Sequence, residues 1–123
     1  MELDLISEET AVLAKEKGFN IDTYRKFFEC TDGSFEEANR NDFIHDHVVE
    51  VYNRPTQSLL QKVLKDDKGI FVYVTPILNK HSETSFKFTV YEMAEAFRGD
   101  IGISDISYED ALEKGLQQAL KSI

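Results

Sequence analysis

The sequence predicts a small α+β domain. It should hold an antiparallel sheet built on a 70–78/85–91 hairpin, packed with about three helices over 7–17, 55–66 and 107–122. Three observations predict this class. A capped helical segment opens the chain, two apolar stripes of helical period lie at 55–66 and 107–122, and a β-branched, aromatic stretch sits between them. The 123 residues leave room for one domain of the usual roughly 100–150 residues, so 1–123 is expected to be a single domain. Nine Phe and five Tyr can furnish a core, which argues against wholesale disorder.

The first helix is expected from Ser7 to Lys17. Ser7 suits an N-cap, and Glu8 and Glu9 complement the positive end of the helix dipole. Ile6, Thr10, Leu13, Ala14 and Lys17 share a face, and Gly18 suits the position after the last turn. Residues 20–53 are less readable. Tyr24–Cys30 is aromatic enough for a strand, and Thr31-Asp32-Gly33-Ser34 is a turn signal, so a hairpin is expected there. Asn39–Asp42 reads as loop. Val48–Tyr52 reads as a short strand or as an irregular approach to the next helix.

The second helix is expected over 55–66, with Pro55 in its first turn and Leu59, Leu60, Val63 and Leu64 as its stripe. Ile70–Leu78 is apolar on both faces, which predicts a central strand covered by helices, with pairing failing or bulging at Pro76. Asn79–Thr84 is a polar turn. Ser85–Tyr91 alternates, with Phe86, Phe88 and Val90 on one face. Residues 93–99 read as a short helical turn and 98–106 as a loop. The last helix begins at Ser107, whose S-x-x-D spacing to Asp110 resembles a capping box. Tyr108, Leu112, Leu116, Ala119, Leu120 and Ile123 form its apolar side. Gly115 marks a place where this helix should approach the sheet closely.

The charge is unevenly spread. The net charge is −9, with 13 acids and 6 bases in residues 1–61 against 10 and 8 in residues 62–123. Such a surface repels phosphate backbones and anionic lipid, so direct nucleic-acid binding is not expected and a basic protein partner is the natural alternative. No window approaches the roughly 18 apolar residues of a spanning helix, so no membrane association is expected. The opening MELDLISEET lacks the basic and apolar regions of a secretory signal, which predicts a cytoplasmic protein. One cysteine excludes an internal disulfide framework, and Cys30 fits a reducing compartment.

No motif for catalysis or a cofactor is present, so neither enzymatic activity nor a cofactor is expected. His45 and His47 would share a face of an extended strand, which suits two metal ligands, but a third is needed and His81, Asp42 and Glu50 are the obvious donors. Two solvated histidines are the simpler reading. Cys30 stands beside the acidic Glu29 and Asp32, with no basic neighbour to activate it in the local sequence, and reads as structural. The acidic pairs Glu8/Glu9, Glu36/Glu37, Asp66/Asp67 and Glu109/Asp110 are adjacent in sequence and so do not face each other on a helix; capping and solvation account for them. Gly99–Gly102 lacks the lysine of a phosphate loop. Phe71, Tyr73, Phe86 and Phe88 could stack on bases, but without interleaved Arg or Lys they read as core.

RPTQSLLQKVLKD (54–66), SYEDALEKGLQQALKSI (107–123) and KEKGF (15–19) together resemble a family of small uncharacterised phage and prophage proteins of Bacteroidetes. That family carries a PTQ-x-LLQKWLR segment before a strand pair and a closing YEEALE-x-GL-x-x-AL helix. Val63 stands here where its Trp is usual, and Lys65 where Arg is common. The resemblance implies a mobile-element origin, a bacterial host cytoplasm and a shared α+β fold; it implies no catalytic residue. The expected function is therefore a phage-type accessory protein that binds another protein, in its sharpest form an acidic inhibitor of a host factor. The alternative is a small metal- or ligand-binding protein using His45 and His47. The expected contact uses Glu29, Asp32, Glu36, Glu37, Asp42 and Asp46, grouped about the 31–34 turn.

Overall fold

The computed structural model describes residues 4–19, 21–39, 48–78, 84–92, 99–105 and 107–123. The fold is α+β, with three helices and two antiparallel sheets among the described residues. The chain divides into two compact units, Leu3–Thr56 and Gln57–Ile123, each with its own sheet.

In the first unit, helix α1 (Glu8–Glu16) is followed by strands β1 (Arg25–Cys30), β2 (Phe35–Asn39) and β3 (Val48–Asn53). The order β2-β1-β3 puts the expected hairpin at one side and β3 at the other. Ser7 caps α1 as its sequence suggests, its hydroxyl accepting from the Thr10 N–H at 3.3 Å. The buried face, however, is Thr10, Ala11 and Ala14, with Leu13 only half-buried. Small side chains let a short helix approach its neighbours closely, so the large apolar residue does not decide the face. Val48–Asn53 is a strand. Asn39 ends β2 rather than starting a loop, because it lies opposite Arg25 and its side-chain oxygen accepts from that guanidinium at 3.1 Å. The segment before α1 is anchored too: Leu5 bridges Thr56, and Ile6 N–H donates to Pro55 O at 3.1 Å.

The second unit runs α2 (Gln57–Lys68), β4 (Ile70–Leu78), β5 (Thr84–Glu92), β6 (Gly99–Asp105) and α3 (Tyr108–Lys121). Its strands form a meander in the order β4-β5-β6, and α3 packs on all three. Helix α2 starts two residues after Pro55 and continues through Asp66, Asp67 and Lys68 to Gly69, so it is displaced by two residues from the expected span. Its buried residues are Gln57, Leu60 and Leu64; Leu59 is 38% exposed. Gln57 takes the place expected for Leu59 because its amide is satisfied on α3: Nε2 donates to Glu109 O and to Glu113 Oε1, both at 2.9 Å.

Two strand expectations change. Strand β4 is an edge strand, not a central one, and β5 lies in the middle. The segment expected as a loop contains β6, since pairing with β5 from Tyr91↔Gly99 to Phe86↔Asp105 outweighs its two glycines. Pro76 pairs with Phe86 without a register break, and the shift lies instead between Phe86 and Lys87 on the β6 side. The edge position explains this tolerance. Gln61 Nε2 donates to Val72 O at 2.6 Å, so that carbonyl points away from β5. Residues two apart in an antiparallel ladder point the same way, so Pro76 nitrogen also faces outward, where no donor is missed. The expected turn at 79–84 and the expected helical turn at 93–99 lie outside the described residues, except that Thr84 opens β5 and Gly99 opens β6.

Helix α3 is capped by Ser107, whose hydroxyl accepts from Asp110 N–H at 3.1 Å. Its buried side is Ala111, Leu112, Gly115, Leu116, Ala119 and Leu120. Tyr108 and Ile123 are exposed instead, because they stand at the helix ends; Tyr108 meets Phe86 edge-on with centroids 6.3 Å apart. Gly115 is the close approach its sequence position suggests. A Cβ there would meet Val72 Cγ1 at 2.7 Å and Phe88 Cβ at 3.1 Å.

Candidate partner-binding surface

The surface to test is the β1–β2 hairpin of the first unit, which carries four of the six carboxylates expected at a partner contact. Its turn is tightly made. Cys30 N–H donates to Ser34 O at 2.8 Å and Gly33 N–H to Cys30 O at 2.9 Å. Gly33 adopts φ +85°, with nothing within 4 Å of where a Cβ would stand. Asp32 closes the turn: its Oδ1 accepts from Ser34 N–H at 2.9 Å and from Ser34 hydroxyl at 2.6 Å. Gly33→Ala should cost about 1 kcal/mol through the left-handed backbone alone, and Gly33→Asn less, as judged by urea denaturation. Equal stability of the Ala variant would mean the turn relaxes to another type.

The strands then sort the remaining carboxylates. Glu37 and Tyr52 flank Phe27 across the sheet, and Phe35 and Glu50 flank Glu29. These residues form one face, and on it charge is internally matched. Glu37 pairs with Arg54 at 2.9 Å and with Arg25 at 3.5 Å. The Arg54 guanidinium lies 4.4 Å from the Phe27 ring centroid, and its Nε donates to Ile6 O at 2.9 Å. Tyr52 hydroxyl donates to Glu29 at 3.1 Å, its ring packs on Phe35, and Lys15 sits 4.9 Å above it. Lys15 also pairs with Glu50 and donates to Val51 O at 2.8 Å.

These contacts set the electrostatics. Partial burial, followed by the Glu29 carboxylate, pushes the Tyr52 phenol up from its ordinary pKa. The Lys15 ammonium, as hydrogen-bond donor and as charge, holds Glu50 below the usual carboxylate range. Glu29, Glu37 and Asp32 are thus engaged by other groups of the unit, Asp32 through Ser34; Asp32, Glu36 and Glu37 are exposed, Glu36 on the opposite face beside Phe28. Asp42 and Asp46 lie outside the described residues, as do His45 and His47. No group of three or more His, Cys, Asp or Glu suited to a metal ion occurs among the described residues. Cys30 is half-buried at the end of β1.

Sequence reasoning missed the basic and aromatic side of this hairpin. Lys15, Arg25, Phe27, Tyr52 and Arg54 come from three elements and an adjoining loop, and only the strand register brings them together. It also placed Phe71 and Tyr73 in the core. Tyr73 is 49% exposed and Phe71 half-buried, because their face of edge strand β4 lies opposite the α3 side. No helix among the described residues is long and apolar enough to cross a membrane. Comparisons with protein-family models, curated proteins and solved structures found no match.

Proposed function

We propose that the chain is a non-enzymatic accessory protein of a phage or prophage that acts by binding another protein. Its acidic first unit meets a basic surface on that partner, and occlusion of a host factor's nucleic-acid-binding face is the sharpest form of this role. One observation carries the reading. Four of the six cations in residues 1–61, Lys15, Arg25, Lys26 and Arg54, are paired with carboxylates of the same unit. What remains to be offered outward is an excess of acid, including Asp4, Glu8, Glu9, Asp32 and Glu36, all exposed. Exposed charge of one sign steers association and is screened beyond about 8 Å at physiological salt.

The test is a pull-down from a Bacteroidetes host followed by stopped-flow association with the captured partner. Asp32→Asn keeps the oxygen that closes the turn, and Glu36→Gln removes no ion pair among the described residues. The double variant should slow association several-fold at low salt, with little change in off-rate or melting temperature. An association rate indifferent both to salt and to these substitutions would rule out acidic steering.

A further inference from the structure

We propose that the groove between α2 and β4 binds a free nucleotide, its base against Phe71 and Tyr73 and its phosphate beside Lys62 and Lys65. This inference concerns the second unit and does not rest on the protein-binding reading. The groove encloses about 360 Å³ and is lined by Ser58, Gln61, Lys62, Lys65, Phe71 and Tyr73. That volume lies at the small end of ligand sites, roughly 300–1,000 Å³, and suits a single small molecule rather than a long chain.

Its two walls differ in chemistry. Ser58, Gln61, Lys62 and Lys65 recur at helical spacing, so α2 turns one polar and basic stripe toward the groove. Phe71 and Tyr73 share the opposing face of β4, their rings 15° from parallel with centroids 6.0 Å apart. A planar aromatic ring system can lie against that wall, and an anion attached to it would reach the ammonium groups. Gln61 holds the two walls in register through its bond to Val72 O. Lysines beside the aromatic pair were what the sequence alone lacked; they come from a different element.

The charge pattern separates a free nucleotide from a polymer. Residues 62–123 are themselves net acidic and the whole chain carries −9, which opposes an extended phosphate backbone more than a single phosphate. Asp66 is the internal competitor. It pairs with Lys62 at 2.6 Å, both side chains being exposed. Such a surface pair exchanges readily for another anion.

The test is NMR titration of the full-length protein with AMP, GMP, CMP and UMP. Adenosine, inorganic phosphate and oligothymidylate serve as comparisons. At least one monophosphate should shift the amides of Lys62, Lys65, Phe71 and Tyr73 at concentrations up to about 1 mM. Adenosine and phosphate alone should bind at least about tenfold more weakly, since each keeps only one of the two walls. Tyr73→Ala should weaken binding at least about fivefold. Lys65→Ala should weaken it about two- to fivefold and shrink the preference over the nucleoside by the same factor. Asp66→Asn should tighten it about two- to threefold by releasing Lys62. All three positions are exposed, and unchanged melting temperatures would verify folding. The proposal is overturned if no monophosphate shifts these amides, if Tyr73→Ala and Asp66→Asn leave affinity unchanged, or if oligothymidylate binds more tightly than every monophosphate.

Discussion

Leu116→Ala is expected to destabilise the second unit by about 2–5 kcal/mol, a large fraction of what a chain this size has to lose. Leu116 is fully buried in the middle of α3, between Leu112 and Leu120 on the side packed against the meander. Removing three carbons there leaves a cavity in the buried side of the helix. The loss should appear as a lower urea midpoint. It should also appear as faster amide hydrogen exchange in α3, β4 and β5, which reads this unit specifically. An unchanged midpoint and exchange pattern would mean that α3 does not lie on the sheet as described.

Gly115→Ala should be the second large effect, and its sign is informative. Helix propensity alone predicts a gain of about 1 kcal/mol. The new methyl would stand 2.7 Å from Val72 Cγ1 and 3.1 Å from Phe88 Cβ. Val72 is β-branched and buried, and Phe88 Cβ moves only with its backbone, so neither neighbour can retreat freely. Overpacking of this kind costs about 1–3 kcal/mol, enough to reverse the sign. In a Val72→Ala background the same substitution should cost less, with a coupling of about 0.5–3 kcal/mol in the double-mutant cycle. A raised melting temperature for Gly115→Ala alone would place the helix farther from the strands.

The features legible in the sequence were those set by local chemistry. Ser7 and Ser107 cap their helices, Gly33 sits where the turn demands it, and Phe88 and Val90 share the face toward α3. What stayed hidden depends on which strand pairs with which. In Ile70–Leu78 only Pro76 points to an edge, because a groove-lining face of Phe71 and Tyr73 has the composition of a buried one. Gly99–Asp105 has loop composition and becomes a strand only through β5. The hairpin carboxylates were found by counting charge. That Glu37 is spent on Arg25 and Arg54 while Glu36 is not follows from strand alternation once the register is known.

The outer side of β4 has a further consequence for self-assembly. A bare strand edge invites the same strand of another copy, and this is how ordered aggregates begin. Here the Val72 carbonyl is already taken by Gln61, and at Pro76 the outward position has no donor to give. An incoming strand would meet one occupied acceptor and one missing donor four residues apart. This apolar stretch is therefore guarded within its native sheet, by a glutamine from one side and a ring from within.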